Sequence, residues 1–511
     1  MVRPLLIALT ISCATAATAQ TPLPQPVLPA TSAIPPETIK AINDRFEAYR
    51  VSAHAPGLVW GIVQNGRLAH VGTLGVQDPA TNRPITPDTV FRIASMSKAF
   101  TALAILKLRD EGKLSLDDLA ERYVPELKDW TYPTTDSPRI RVRDLLGHVS
   151  GFVTDDPWGD RQQVMPEATF TALLKAGVPF TRAPETAYEY SNLGYALLGR
   201  IVTNASGRRY EDYIQSEIMR PLGMAASGYE SGDVPTDKLA VGYRWENDAY
   251  AREPTMPDGA FGAMGGVHTS ANDYAKWAAF LLSAWPARDG ADTGPAKRAT
   301  VRQLGVGTSL PRLGQRIRAN NPAPCPTATV YSGGFNVVRD CDLGLVLTHG
   351  GGYPGYGSTL MMMPDTGVAI FAFANRTYAG PAAAALDAAQ ILKDAGLLPE
   401  RILPASPVLA ARYASAGAMY RAGNLTPGQD GLAMNFLMDR SAENWTREFA
   451  RLKTVVGNCR ADEPIMATGW LAGRFSWTCE RGTIAGDLLL APTNPPRIQA
   501  FRMQERPAAA Q

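Results

Sequence analysis

The sequence is poor in cysteine and histidine, the residues on which most metal-dependent hydrolases rely. Only five cysteines and five histidines occur in 511 residues. The histidines stand at positions 54, 70, 148, 268 and 349, and none forms the H-E-x-x-H spacing of a catalytic zinc site. The motif G-x-S-x-G is absent too, which argues against an α/β-hydrolase fold. We therefore expect neither a metal ion nor an organic cofactor.

An excess of charge of either sign is also missing. Fifty Lys and Arg residues stand against 48 Asp and Glu residues, which leaves a net charge of +2. So balanced a chain has no strong field for nucleic acid or for an anionic membrane. We therefore expect no nucleic-acid partner, and the oligomeric state stays open.

Long apolar runs are absent, but a short one lies near the start. Arg3 precedes an apolar run from Leu5 to Ile11, and the letters "ATA" then offer a small-x-small cleavage site. This run is too short to span a bilayer and is typical of a secretory signal. The pattern predicts a signal peptide at residues 1–19 and a secreted or periplasmic protein, with lipidation at Cys13 as the weaker alternative.

The four remaining cysteines form two local pairs, without the C-x-x-C spacing of zinc ligands. Export to an oxidising compartment favours disulfides. We predict the pairs Cys325–Cys341 and Cys459–Cys479, and the alternative is four reduced, buried thiols.

Proline and turn residues divide the N-terminal part of the chain. Residues 20–36 are proline-rich and predict an extended linker. Residues 37–51 have a helical pattern, and two strand-like runs then flank the turn Gln64-Asn65-Gly66, a strong hairpin signal. Helical patterns dominate from about 97 to 280.

Strand patterns return late in the chain. They occupy 343–350, 357–364 and 367–375, and a helical pattern follows at 381–396. Strands at both ends with helices between them predict one antiparallel sheet flanked by helices, an α/β (α+β) domain over residues 37–398 with an inserted helical subdomain.

A proline-marked break precedes the last part of the chain. Residues 408–505 combine a helical pattern at 441–457 with strand patterns that follow it. This predicts a small α+β accessory domain. Its Trp445, Phe449 and Leu452 are spaced as a helix core, and no catalytic group stands out there.

Ser95 and Lys98 open an otherwise apolar helical segment, "FRIASMSKAFTALAILKL". Their spacing places both on one helix face. A serine hydroxyl needs a neighbouring base to act as a nucleophile, and a desolvated lysine can serve. The S-x-x-K spacing is weak by itself, and taken alone it favours a capping serine with a surface lysine.

Two later motifs favour the catalytic interpretation of Ser95 and Lys98. Tyr190-Ser191-Asn192 stands before an apolar helix, and His349-Gly350-Gly351 ends a strand. With S-x-x-K, and with the segment "DLLGHVSGF", they resemble the serine β-lactamase and penicillin-binding-protein superfamily, which includes class C β-lactamases, D-Ala-D-Ala carboxypeptidases and family VIII esterases. The resemblance covers roughly residues 37–398 and implies that fold.

The resemblance also implies roles. Ser95 would be the acylated nucleophile and Lys98 its activating neighbour. Tyr190 would relay a proton to and from the leaving group, as phenolate or through Lys98. Asn192 would orient Lys98 and bind the amide carbonyl of the substrate.

The third motif implies the rest of the substrate site. His349 would replace the lysine that many members carry, with Gly351 in the same element. The backbone N–H groups of Ser95 and Gly352 would form the oxyanion hole. A neutral histidine attracts a carboxylate less than lysine does, so efficient β-lactam turnover is not expected. No separate glutamate suits the activation of water, so Tyr190 and Lys98 would serve both steps.

The function that the resemblance implies is hydrolysis through an acyl-enzyme. Substrates would be D-amino-acid peptides, amides or small esters, so the resemblance implies a small molecule or a peptide, cell-wall peptide included, as the partner. Alternatives are an esterase that uses the same residues, a penicillin-binding protein with little turnover, and an inactive wall-binding module. The loop "DDPWGD" with Trp158 would either border the cleft or lie on the surface.

Overall fold

A computed structural model describes residues 33–307, 309–318, 321–401 and 403–508, without the side chains of residues 318, 321 and 322. The predicted signal peptide, Cys13 and most of the proline-rich segment lie outside these residues. The described residues divide into two compact units between Arg401 and Leu403. Within them, no helix is both long and apolar enough to cross a membrane.

Helices of the first unit are α1 Pro36–Ser52, α2 Lys98–Asp110, α3 Val142–Leu146, α4 Asp156–Arg161, α5 Glu167–Ala176, α6 Asn192–Ser206, α7 Tyr210–Ile214, α8 Gly262–Gly265, α9 Ala271–Leu282, α10 Arg298–Gln303 and α11 Ala382–Asp394. Those of the second unit are α12 Pro407–Ala422, α13 Phe436–Asp439 and α14 Ala442–Val456.

Strands of the first unit are β1 Gly57–Gln64, β2 Arg67–Asp78, β3 Arg83–Pro84, β4 Val90–Arg92, β5 Tyr243–Glu246, β6 Ala249–Arg252, β7 His268–Ser270, β8 Arg312–Arg318, β9 Asn321–Ser332, β10 Phe335–Asp340, β11 Gly344–Tyr353, β12 Tyr356–Met363 and β13 Val368–Ala374. The second unit has β14 Met466–Ala467, β15 Ala472–Cys479, β16 Gly482–Ala491 and β17 Arg497–Pro507.

The first unit is built on a nine-stranded antiparallel sheet, in the order β3-β2-β1-β13-β12-β11-β10-β9-β8. The β1–β2 hairpin turns at Asn65 and Gly66, whose φ angles of 50° and 78° match the expected hairpin turn. Next to it, β1 pairs with β13, which places Leu58 opposite Ala374. The sheet therefore closes only when the two ends of the unit meet, as the strand pattern predicts.

Helices cover both faces of this sheet. On β1, Trp60 packs among the side chains of α1 and α11, and Phe46 of α1 stacks on it at 5.0 Å between ring centroids. The neighbouring Val59 belongs to the core on the other face, together with α2, α6 and α9. Alternate residues of a strand point to opposite faces, so the apolar runs of β1 and β13 reflect burial on both sides. The α/β (α+β) fold prediction is confirmed.

The insertion between β2 and β8 is mostly helical, as the pattern from 97 to 280 predicts. Two short antiparallel strand pairs, β4–β7 and β5–β6, interrupt it. Helix α2 is the centre of this region: Phe100 stacks on Trp277 of α9 at 4.0 Å, and every residue from Lys98 to Leu106 is buried. This buried helix positions the candidate site.

The edge of the sheet differs from the prediction, because strands β8, β9 and β10 were not expected. Prolines at 322, 324 and 326 argue against a strand, since proline cannot donate to a ladder. These prolines lie in the half of β9 that pairs only with β8, because the β10 register begins at Thr327. The missing N–H groups are therefore tolerated at that edge.

The second unit has its own core. A four-stranded sheet, β14-β15-β16-β17, packs with α12 and α14 around Trp477, which is fully buried. Trp445, Phe449 and Leu452 of α14 belong to this core, as their spacing predicts. Helix α12 was not anticipated in the sequence.

Each unit contains one disulfide among its described residues, and both join the predicted partners. Cys325–Cys341 links β9 to the turn after β10, and Cys459–Cys479 links the segment that follows α14 to β15. Asp340 and Asp342 lie near the first disulfide, but both pair with Arg316. With its two thiols oxidised, this cluster does not offer a metal site.

Candidate active site

Ser95 lies in a short 3₁₀ turn, Ala94–Ser97, that leads directly into α2. Ala94 has a φ of 48°, a left-handed conformation that alanine rarely adopts. Strained backbone of this kind persists only where surrounding structure holds it, and it is common at active sites. The turn presents Ser95, 8% exposed, at the N-terminal end of a buried helix.

Three hydrogen bonds hold this turn and the residue before it, and two of them reach other parts of the unit. The Ser358 hydroxyl of β12 donates to the Ile93 carbonyl at 2.8 Å. The Ser97 hydroxyl donates to the Ala94 carbonyl at 2.6 Å and accepts from the Val267 N–H at 3.0 Å. The nucleophile position is therefore held from the sheet and from the segment that follows α8.

Lys98 is fully buried beside Ser95. Its Nζ lies 3.0 Å from Ser95 Oγ, 2.7 Å from Asn192 Oδ1 and 2.9 Å from the Met264 carbonyl oxygen. Both carbonyl oxygens can only accept, so they take two N–H groups of the lysine. In a neutral amine the remaining position is a lone pair, and it faces the hydroxyl of Ser95. The site is thus arranged for Lys98 to receive the Ser95 proton.

Burial also makes the neutral form of Lys98 accessible. Loss of hydration lowers the pKa of Lys98 to about 8, while the charges of Asp160, Asp156 and Asp155 oppose the shift. An amine with this pKa is a base of useful strength near neutral pH.

Tyr190 approaches Ser95 from the other side. Its hydroxyl donates to Ser95 Oγ at 2.8 Å. Burial, and then the charge of Asp156, raise the pKa of Tyr190 well above its ordinary value, so the side chain is a phenol. Lys98 Nζ also lies 4.8 Å from its ring centroid. Of the two proton routes considered for Tyr190, the route through Lys98 is therefore the better supported.

Asn192, at the start of α6, is fully buried and both ends of its amide are occupied. Its Oδ1 accepts from Lys98, and its Nδ2 donates to Asp156 Oδ1 at 3.2 Å. Asp155 accepts from the backbone N–H groups of Asn192 and Leu193 at 2.6 and 2.9 Å, which satisfies the α6 N-terminus. This arrangement suits the expected orienting role. Nδ2 carries a second N–H group, so the expected contact with the amide carbonyl of a substrate stays a prediction.

His349 lies on β11 and is neutral. Burial and the charge of Lys98 lower the pKa of His349 to about 4. Its Nδ1 faces the Gly350 carbonyl at 2.5 Å, so Nδ1 carries the proton, and Nε2 then accepts from the Tyr331 hydroxyl at 3.0 Å. Both ring nitrogens are engaged, so His349 offers no charge to a substrate carboxylate.

Gly351 brings the end of β11 against the nucleophile turn. A Cβ at this position would lie 2.3 Å from the Ile93 carbonyl oxygen, 2.1 Å from Ser358 Oγ and 3.1 Å from Ala94 Cβ. Only glycine permits so close an approach.

Gly352 follows it on the open edge of the same strand. Tyr353 and Tyr356 flank a two-residue turn and form the closing hydrogen-bonded pair, so the next pair, Gly352 and Gly357, is not hydrogen-bonded. The Gly352 N–H therefore points away from β12. The β10 register ends at Thr348, which leaves that edge of β11 open here.

The backbone N–H of Ser95 is available as well, because no described residue accepts a hydrogen bond from it. An unpaired N–H beside the nucleophile and a second on the open edge of β11 fit the expected oxyanion hole.

His148 supports the tyrosine loop. Its Nδ1 accepts from the Ser191 N–H at 3.1 Å, and its ring centroid lies 4.4 Å from that of Tyr190. Burial lowers the pKa of His148 well below its ordinary value, so it is a neutral structural ring.

Several groups near the site could not be identified from a sequence motif. The Met264 carbonyl has no sequence signal, because backbone atoms do not depend on residue type. Tyr331 is isolated in the sequence, whereas Asp160 and Trp158 belong to the segment "DDPWGD", which did not indicate a role for Asp160. Trp158, 45% exposed, packs edge-on against Phe261 at 5.5 Å between centroids.

Two features together define a class of fold. The sheet is completed by both ends of the unit, and a serine, a lysine and a tyrosine meet at the start of a buried helix. This is the serine β-lactamase and penicillin-binding-protein class. The sequence profile of the Beta-lactamase family matches residues 42–395. The chain belongs to this family, in agreement with the resemblance read from its motifs.

Two relatives are similar over part of their length. Beta-lactamase-like protein 2 of Dictyostelium discoideum is 36% identical over 211 residues, which is 40% of this chain and 38% of that protein. Protein flp of Staphylococcus aureus (strain NCTC 8325 / PS 47) is 27% identical over 330 residues, 63% of this chain and 60% of that protein. The chain therefore spans less than two thirds of either relative.

Two solved structures share the fold. The octameric penicillin-binding protein homologue from Pyrococcus abyssi has a TM-score of 0.56 at 19% identity and covers 91% of this chain and 99% of its own. The class C beta lactamase from Rhodobacter sphaeroides has a TM-score of 0.53 at 23% identity, with 70% and 99% covered.

Proposed function

We propose that this protein is a serine hydrolase that forms an acyl-enzyme on Ser95. The observation that carries the proposal is the environment of Lys98. Two acceptors, Asn192 Oδ1 and the Met264 carbonyl, occupy its N–H groups, and its third position faces Ser95 Oγ at 3.0 Å. A surface lysine beside a helix cap would be hydrated, and it would not need such a set of partners.

The reaction has two halves. Ser95 Oγ attacks the substrate carbonyl and passes its proton to Lys98 Nζ. The N–H groups of Ser95 and Gly352 stabilise the negative oxygen. The Tyr190 hydroxyl then gives its proton to the leaving amine or alcohol, the C–N or C–O bond breaks, and the proton held by Lys98 replaces the one that Tyr190 has lost. Water next attacks the ester and loses its proton along the reverse route, which frees the acid and Ser95.

The proposed substrate class rests on the family resemblance and on the charge of the residues around Ser95. We propose D-amino-acid peptides, amides or small esters, as the family resemblance implies. The neutral, fully engaged His349 favours substrates without a carboxylate next to the scissile bond, because it cannot form an ion pair. This observation favours an esterase that uses the same residues as the second candidate, and it disfavours rapid β-lactam turnover.

We also propose that the enzyme is exported. The disulfides Cys325–Cys341 and Cys459–Cys479 support this, because such bonds persist in oxidising compartments.

The test is intact-mass spectrometry after reaction with an alkyl fluorophosphonate and, separately, with a penicillin. Wild type and Ser95→Ala are compared, and Ser415→Ala, which changes a partly exposed serine of α12, is the control. We expect a fluorophosphonate adduct on wild type and on the control, but none on Ser95→Ala. A persistent penicilloyl adduct would instead favour a penicillin-binding protein with little turnover. Absence of both adducts on folded wild type would contradict the proposal.

A further inference from the structure

The Tyr378 ring lies directly on β11 at the proposed oxyanion residue. A Cβ on Gly352 would lie 2.6 Å from Tyr378 Cδ1, so glycine at that position is what leaves room for the ring. Tyr378 is 42% exposed. The rest of the ring is therefore accessible to a molecule that approaches Ser95.

The backbone fixes the position of this ring. Tyr378 has a φ of 55°, a conformation that residues with a Cβ seldom adopt. Its N–H donates to the Tyr356 carbonyl at 3.1 Å, and the neighbouring Thr377 hydroxyl accepts from the Gly355 N–H at 2.8 Å. The β11–β12 turn therefore holds Tyr378 in place, and strain of this kind is often retained for function.

The hydroxyl end of Tyr378 lies near a second element of the site, helix α4. It lies near the Asp160 carboxyl, which belongs to α4 and is only 4% exposed, and the interaction lowers the pKa of Asp160 against the larger, opposite effect of burial. Helix α4 is attached to the lysine side of the centre, since Asp156 accepts from Asn192 Nδ2. A Cβ on Gly159 would lie 2.7 Å from Asn192 Cβ, which shows how closely this helix packs there.

Tyr378 thus spans the space between β11 and α4, the two elements on either side of Ser95. We propose that Tyr378 is a specificity-determining residue that closes one end of the cleft and limits the size of the substrate group placed there, and that Asp160 is its positioning residue. This inference rests on the proposed function, because it assumes that Ser95 reacts with a substrate in this cleft. A purely structural tyrosine would affect stability without changing the choice among substrates.

The first experiment measures selectivity in the full-length protein. The probes are two fluorophosphonates, one with a short and one with a long alkyl chain, and the esters p-nitrophenyl acetate, p-nitrophenyl octanoate and naphthyl acetate. The quantities are the rate of Ser95 adduct formation and kcat/KM. Tyr378→Ala is compared with wild type and with Tyr250→Ala, which removes a tyrosine of similar exposure, 39%, on β6.

The rate with each bulky probe is divided by the rate with the small probe of the same chemistry. We expect Tyr378→Ala to raise this ratio by about fivefold or more in at least one pair, and Tyr250→Ala to leave the ratios unchanged. A smaller change in every pair, with a folded variant that still forms the Ser95 adduct, would overturn the inference and leave the proposed function intact. Absence of any adduct on wild type would overturn both.

The second experiment tests the role of Asp160 separately from that of Tyr378. Asp160→Ala removes the carboxyl group near Tyr378, whereas Asp160→Asn retains an oxygen that can accept from the Tyr378 hydroxyl. We expect Asp160→Ala to shift the selectivity in the same direction as Tyr378→Ala, and Asp160→Asn to restore most of the wild-type ratio. Equal ratios for Asp160→Ala and wild type would overturn the positioning role.

Discussion

At the scale of single residues, the proposed chemistry depends on the surroundings of Lys98. Lys98 has no carboxylate within hydrogen-bonding distance among the described residues. Its partners are a hydroxyl and two carbonyl oxygens, which accept from an amine without requiring a positive charge. The nearby carboxylates act only through space and moderate the effect of burial on the pKa of Lys98. Lys98 is therefore basic enough to accept the Ser95 proton. Enough of it is also neutral before the reaction for acylation to start.

The first prediction concerns the pH dependence of acylation. The reactive form of Lys98 is neutral, and an amine is neutral above its pKa. With a pKa of about 8, the rate of Ser95 labelling should rise with pH and level off above about 8. The rate of adduct formation across a pH series tests this. A rate that falls through this range, or that rises only near the ordinary lysine pKa, would contradict it.

The second prediction concerns Asp160. Its charge raises the pKa of Lys98, so Asp160→Asn should move the rising limb of the pH profile to lower pH. Burial raises the pKa of Asp160 itself to about 7, so the effect should be clearest above neutral pH, where that carboxyl is ionised. Asp44→Asn, on α1 across the sheet, is the control and should leave the profile unchanged. A shift to higher pH would refute the electrostatic argument.

At the scale of elements, the site is a junction between the start of α2 and the end of β11. These elements are more than two hundred residues apart in sequence. Gly351 allows them to meet, because its hydrogen occupies space that a methyl group would need. The contact sets where the open edge of β11 lies relative to Ser95.

The third prediction tests this junction. Gly351→Ala would place a Cβ 2.3 Å from the Ile93 carbonyl oxygen, so β11 or the nucleophile turn must move. We expect labelling of Ser95 to slow by about a hundredfold or more, and stability to fall by about 1–3 kcal/mol. Labelling rates and chemical denaturation measure the two effects.

Gly350→Ala on the same strand is the matched control. Its Cβ would meet nothing closer than 3.7 Å, an ordinary contact distance. We expect it to slow labelling by less than about threefold. Equal losses in the two variants would show that the close contact at Gly351 is unimportant.

At the scale of the whole molecule, the chain contains two units with separate cores. The family profile ends at residue 395, just before the division at Arg401. The candidate catalytic residues all belong to the first unit. The second unit keeps its own disulfide, Cys459–Cys479, beside a core that includes Trp477 and Tyr420.

The fourth prediction concerns this disulfide. Replacing both Cys459 and Cys479 by serine should destabilise the second unit by about 3 kcal/mol, because the cross-link limits the unfolded chain. Amide hydrogen exchange should then be faster in β15 to β17, whereas the amides of α2 keep their protection and Ser95 still reacts. Unchanged exchange in β15 to β17 would contradict this expectation.

Much of this organisation could be predicted because it is local. The Asn65-Gly66 turn and the core spacing of Trp445, Phe449 and Leu452 follow from backbone and side-chain geometry over a few residues. Strand β9 and Asp160 could not be predicted in the same way. The prolines of β9 are acceptable only because its partner strand stops short of them, and Asp160 matters only because α4 packs beside Asn192.

The sequence by itself determined which reactive groups are present and their local spacing, including Ser95 and Lys98 on one helix face. Tertiary structure alone decided which of these groups could react. Burial lowers the pKa of Lys98 to about 8 and that of His349 to about 4, and the pairing of β1 with β13 brings distant strands into one sheet. The physical reason is that hydration, charge and close contact depend on neighbours in space, and most of these neighbours are far apart along the chain.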